Sequence, residues 1–226
     1  MNSEITVAAL FGAAGHSVAH TWLSEFLYPW QALPHIEDAI REIGAALPSD
    51  EYTKAGDDVW IAKSAKVAPS ASICGPCIIC HAAEVRHCAY IRRGAIVGCG
   101  AVVGNSTELK NCILYDGVQL PHYNYVGDSV LGYRAHLGAG AIISNVKGDR
   151  SVVHVTAPSG ERISTDLKKC GAFLAAECEI GAGCVLNPGS IIGAHARIYP
   201  LTSVRGYVAG RCILKSDGRI VPTTLP

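Results

Sequence analysis

The sequence predicts a mainly β chain wound as a parallel β-helix of hexapeptide repeats, with a helical segment ahead of it. Three observations predict it. Branched aliphatic residues recur every six positions over most of the chain, small residues recur in step with them, and a short N-terminal stretch follows a helical period instead.

Every sixth residue from Ile61 is aliphatic: Val67, Ile73, Ile79, Val85, Ile91, Val97, Val103, Leu109. Two positions before each following aliphatic lies a small residue: Ala65, Ala71, Cys77, Ala83, Ala89, Ala95, Ala101, Thr107. The pattern returns at Leu174, Ile180, Leu186, Ile192, Ile198 and Val204, with Ala172, Cys178, Cys184, Ser190, Ala196 and Thr202 in the small slot. A period of six fits neither a helix of 3.6 residues per turn nor plain alternation. It fits short strands wound into a triangular solenoid, the aliphatic side chain pointing inward and the small residue letting the chain turn. Three hexapeptides close one coil, so residues eighteen apart stack at the strand spacing of ~4.8 Å.

The rhythm slips by one residue at Leu114 and again at Leu131, so that a corner is displaced each time. From about 146 to 171 it lapses, and "VVHVTAPSGERIST" predicts a hairpin excursion around a Pro-Ser-Gly turn. The β-helix is expected over 57–210, with 211–226 as a C-terminal tail. Residues 1–56 differ. In "PHIEDAIREIGAAL", Ile36, Ile40, Ile43 and Leu47 share one helical face, Glu37 and Asp38 lie in the first turn, and Pro48 follows. This segment is expected to be a helical cap over the open first coil, whose edges would otherwise stay unpaired.

Composition narrows the function. The chain of 226 residues carries no net formal charge, which argues against a nucleic-acid or acidic-membrane partner. No apolar run approaches the ~20 residues of a membrane-spanning helix. The first forty residues hold no Lys or Arg, unlike a secretory signal. A cytoplasmic location is therefore expected, with the ten cysteines as reduced thiols. "CGPCIIC" resembles a zinc motif, but the register sends Cys74, Cys77 and Cys80 to different sides of the prism. His81, His87 and His136 could serve a metal held between subunits, as in gamma-class carbonic anhydrases. His81 and His87, on adjacent faces, form no ligand pair by themselves.

Stacking selects other residues. Arg92 follows core residue Ile91 and Lys110 follows Leu109, so the two cations stack on adjacent coils and favour a dianion such as a phosphate ester. A solvated basic edge balanced by Glu108 or Asp128 is the alternative. Asn105 and His122 share a second column, two residues after Val103 and Leu120, and Asn145 takes the same slot after Ile143. Cations, an imidazole and amides thus fall within a few coils.

These residues lie in "GNSTELKN…LPHYNYVGDSVLG…LGAGAIISN", residues 104–145. The motif resembles the acetyltransferase domain of GlmU and the left-handed β-helix tails of sugar-phosphate nucleotidyltransferases of that group. The resemblance implies that His122 is the general base taking a proton from the amine of an amino-sugar phosphate, which then attacks acetyl-CoA. It places phosphate binding on Arg92 and Lys110, a substrate tyrosine at Tyr125 and the active-site asparagine at Asn145. Asn105 and Glu108 match with supporting or substrate roles, and Lys147 or Arg150 could aid the phosphate. Acetyl-CoA would lie along the coils past Ala139 and Ala182, between the subunits of a homotrimer, and no metal is needed. There are departures. His136 replaces a substrate-contacting asparagine, Ala141 replaces a threonine, and the 146–171 hairpin replaces a shorter connection. With no glycine-rich nucleotidyltransferase loop in the chain, no uridyltransferase activity is expected. A non-catalytic trimeric sugar-phosphate-binding module and a metal-dependent hydratase are the competing readings.

Overall fold

The computed structural model describes residues 3–12 and 15–223. Its body is a parallel β-solenoid with three faces. The third face is a nine-stranded sheet running from Lys66–Val67 to Cys212–Leu214, closed by antiparallel Ile220–Pro222. The other two faces are joined into one fourteen-stranded sheet, because the seven-residue strands Glu108–Leu114 and Tyr125–Leu131 pass around the corner between them without a break.

That continuity is what the one-residue slips produce. Leu109 pairs with Val126 and Leu114 with Leu131, seventeen residues on rather than eighteen. The turning residues Asn111 and Asp128 both have φ of 49°, and Gly94, with φ of 66°, turns the coil before them. Asn and Asp visit this left-handed region more readily than other residues with a Cβ. The aliphatic set faces inward as a dry core; Ile79, Val85, Ile91, Val97, Val103, Leu109, Leu120, Val126, Leu137 and Ile143 are buried. The small slot is buried with it, including Cys77, Ala95 and Cys178. Among the described residues no buried side-chain nitrogen or oxygen lacks a hydrogen-bond partner.

The first face carries a second apolar row, pointing outward. Trp60, Ile78, Ile96, Ile113, Val130, Phe173, Ile191 and Tyr207 are paired neighbour to neighbour along the stack. Outward apolar side chains on a sheet need a cover, and the N-terminal segment supplies it. Its helices Val7–Phe11, His20–Leu23, Pro29–Ala32 and Ile36–Ala46 bury Val7, Leu10, Phe11, Leu23, Trp30, Ile36 and Ile40. Gly44 meets Trp60 so closely that a Cβ there would lie 2.4 Å from the indole. Further along, Phe11 stacks on Tyr115, His16 on Tyr133, and Trp30 tilts against Phe173. The segment therefore lies along the side of the solenoid, from its first coils to its later ones. The open edge of the first coil is instead paired by the antiparallel strand Tyr52–Gly56. This differs from a cap seated on the first coil, because the outward row offers far more apolar area than one coil end.

Between Ile143 and Ala172 the chain leaves the solenoid at the same corner that Asn111 and Asp128 occupy. Strands His154–Thr156 and Arg162–Ser164 pair antiparallel there, anchored by buried Val153, Val155 and Ala157. At the C-terminal end, Cys212–Leu214 continues the third face by pairing with Arg197–Ile198.

Candidate active site

Apart from His136, the substrate and catalytic residues selected from the sequence occupy the second face and its two corners. At the corner between the third and second faces, His122 ends the strand Gln119–His122 and pairs with Asn105 one coil below. The backbone carbonyl of His122 accepts from Gly140 N at 3.0 Å, which brings Ala139 alongside, and the Ala139 carbonyl accepts from Gly183 N at 2.9 Å, which brings Ala182 next. Asn105, His122, Ala139 and Ala182 thus form one corner column.

The loop after His122 is held by its own polar residues. Asn124 is buried and donates to the carbonyls of Gly138 and Ala141, while its side-chain oxygen accepts from His122 N. Tyr123, with φ of 52°, is exposed. The His122 side chain is exposed and makes no hydrogen bond among the described residues. Its ring nitrogens are open to a ligand, while Asn124 fixes its backbone. Asn105 donates to the His87 carbonyl of the neighbouring coil at 3.1 Å.

On the second face the outward row is Tyr90, Glu108, Tyr125 and Ile142. Arg92 Nη1 donates to Glu108 at 3.2 Å, and Lys110 Nζ lies 3.2 Å from Asp128. Each cation therefore has its own carboxylate. Asp128 is the centre of the arrangement. Its side chain is 5% exposed, and it accepts from Lys110, from Asn111 at 2.9 Å and from Asn145 at 2.5 Å. Asn145 also donates to the Tyr125 hydroxyl at 3.3 Å. Burial, and after it the charge of Asp128, pushes the Tyr125 phenol up, so it stays protonated as a hydrogen-bond donor. Gly127 is required beneath this pair, since a Cβ would lie 2.6 Å from the Tyr125 oxygen and 2.7 Å from Asn145 Nδ2.

Lys110, Asn111, Tyr125 and Asn145 are thus joined in one polar network around Asp128, with Arg92 and Glu108 as a separate ion pair and His122 at the neighbouring corner. His136 stands apart on the third face, bound to Glu179 at 2.8 Å. Sequence reasoning took Asp128 only as a counter-charge and passed over Asn111. The slips at Leu114 and Leu131 were the available signal, because they mark the corner where both residues turn. Among the described residues no three His, Cys, Asp or Glu side chains form a metal-ligand set, and no helix is long and apolar enough to cross a membrane.

Comparison with known proteins follows the same stretch. Residues 73–161 match the family described as the GMPPB C-terminal domain. The chain is 41% identical over 95 residues to the bifunctional sugar-1-phosphate nucleotidylyltransferase/acetyltransferase of Sulfurisphaera tokodaii, a match covering 42% of this chain and 23% of that protein. It is 28% identical over 113 residues to the bifunctional protein GlmU of Methanococcus maripaludis, covering 50% of this chain and 25% of that one. The homology extends over about half of this chain, which spans about a quarter of the length of these curated relatives. Among solved structures, the acetyltransferase domain of PglB from Neisseria gonorrhoeae aligns with 94% of this chain and 69% of that one, at 17% identity and a TM-score of 0.33.

Proposed function

We propose that this protein is an acyltransferase that moves the acetyl group of acetyl-CoA to the amine of an amino-sugar phosphate, such as glucosamine 1-phosphate or galactosamine 1-phosphate, acting as a cytoplasmic homotrimer. The observation that carries the reading is the free, exposed imidazole of His122 beside a network around buried Asp128 that holds Lys110, Tyr125 and Asn145 in place, with Arg92 paired to Glu108 on the coil next to Lys110. The homology over about half of the chain to a bifunctional sugar-1-phosphate nucleotidylyltransferase/acetyltransferase and to GlmU supports it.

In this reading Arg92, Lys110 and the Tyr125 hydroxyl hold the sugar phosphate, which fixes the amine near His122. His122 takes a proton from the amine as nitrogen attacks the thioester carbonyl. The tetrahedral intermediate collapses with loss of the CoA thiolate, which recovers the proton from the imidazolium. Asn145, with both amide hydrogens engaged by Asp128 and Tyr125, presents its carbonyl oxygen to the substrate. Ala139 and Ala182, exposed and stacked beside His122, leave a smooth track for the acyl carrier. His136 would contact the acceptor sugar and alter its selection, while Asn105 and Glu108 support His122 and Arg92.

The second reading is a non-catalytic trimeric sugar-phosphate-binding module. One observation favours it: both cations are already neutralised by Glu108 and Asp128. CoA release from acetyl-CoA, measured with each amino-sugar phosphate and with His122→Ala, separates the two. Release that requires the sugar and falls by about 10²-fold or more in the variant supports the transferase. Sugar-phosphate binding without release supports the module.

A further inference from the structure

We infer that the groove between the 146–171 hairpin and the solenoid is a second phosphoanion site, separate from the Arg92 and Lys110 pair. A cavity of about 160 Å³ lies there, lined by Lys147, His154, Arg162 and Arg205 together with Thr156, Pro188 and Gly206. None of its lining residues is acidic. Arg162 and Arg205 have no carboxylate partner among the described residues; Arg205 donates only to the amide oxygen of Asn187, at 3.3 Å. Lys147 is anchored by Ser151 Oγ and the Val152 carbonyl, with exposed Asp149 at 3.9 Å. His154 donates from Nδ1 to the Val152 carbonyl at 3.2 Å, which leaves Nε2 as the ring nitrogen without a protein partner.

Such a gathering of like charge is unfavourable unless something neutralises it. The hairpin makes the gathering possible. Its backbone is fixed by buried Val153, Val155 and Ala157, and Thr156 opposite Arg162 places that guanidinium on the edge facing Arg205. The volume suits a phosphate or diphosphate group and is too small for a whole nucleotide. The strand register puts Arg205 in the same column as Lys110, four coils further along by way of Gly127, Ser144 and Asn187. At the strand spacing that is roughly 19 Å, so no single phosphate reaches both sites. The ligand class is therefore a phosphate or diphosphate ester whose anionic group docks here. It belongs either to the nucleotide end of an acyl-CoA or to a sugar phosphate bound separately.

The site is tested by calorimetric titration of the full chain with inorganic pyrophosphate, a readout that needs no acetyl transfer and stands apart from the reading of His122. The wild type is expected to bind pyrophosphate. The double variant Arg162→Ala, Arg205→Ala is expected to bind about tenfold or more weakly while keeping its melting temperature, since both side chains are exposed. Arg92→Ala with Lys110→Ala is expected to leave this binding in place. Equal binding by the wild type and the hairpin variant overturns the inference, as does binding that disappears with Arg92 and Lys110 instead. Competition assigns the source. Displacement of pyrophosphate by adenosine 3′,5′-bisphosphate places the acyl carrier in the groove, and displacement by glucosamine 1-phosphate places the sugar there. Displacement by neither overturns the assignment to these ligands.

Discussion

One oxygen of Asp128 accepts from Asn145 at 2.5 Å while the other accepts from Asn111 at 2.9 Å, and the ammonium of Lys110 lies between them at 3.2 Å. A carboxylate with 5% exposure, shared among three donors, sets the positions of two residues assigned to the substrate. Asp128→Asn keeps the shape and removes the charge, leaving Lys110 without its counter-ion. The expected loss is about 3 kcal/mol of stability in denaturant unfolding. A higher KM for the sugar phosphate should accompany it as Lys110 loses its fixed place. An unchanged unfolding midpoint would remove Asp128 from this role.

Gly127 gives a more local test. In Gly127→Ala the new methyl would press on the Tyr125 hydroxyl and the Asn145 amide, both movable ends of side chains. The fold should survive, with transfer activity about tenfold lower or worse because both groups are displaced from the substrate. Circular dichroism beside steady-state kinetics checks the two halves of that expectation.

The cover on the first face is testable through stability alone. Ile40 from the helix Ile36–Ala46 and Ile96 from the outward row are both fully buried. Truncating either to alanine should cost about 2–4 kcal/mol in urea unfolding. A cost near zero for Ile40→Ala would mean that the helix does not pack there in solution.

Cys99 carries a pH prediction. A hydrogen bond from the Cys80 thiol holds the partly exposed Cys99 thiol down, to about 7, against the opposing effect of burial. Its thiolate is therefore populated above that pH and lost below it. Alkylation at Cys99, followed by mass-spectrometric peptide mapping, should rise through pH about 7 and then level off. A rate still climbing through the ordinary thiol range near ~8.5 would contradict the Cys80 contact.

The hexapeptide period made the solenoid legible because a branched aliphatic residue has few other reasons to recur every six positions. Arg92 and Lys110, and likewise Asn105 and His122, could be placed as neighbours by counting alone, since the register of a stacked coil is rigid. What counting missed depends on direction. Ile78, Ile96 and Ile113 each precede a core residue, and only their recurrence on one face in three marks them as outward and in need of cover. The seat of the N-terminal helices followed from that row. The polarity of the hairpin groove was equally hidden, because Lys147, Arg162 and Arg205 converge only once the excursion folds back.

The N-terminal cover has a consequence for how the chain acquires its structure. In a solenoid each coil touches only the next, so coils can form one after another as they leave the ribosome. Here Trp30 waits for Phe173, and His16 for Tyr133, while more than a hundred residues are made between them. Until then the aromatic cluster around Trp30 and the outward row of the growing sheet both stay open to water. Those long-range contacts raise the sequence separation that folding must close. They also couple distant coils, so that peeling one from the end disturbs the whole. The molecule is expected to melt as one cooperative unit, where an uncovered stack would fray from its ends.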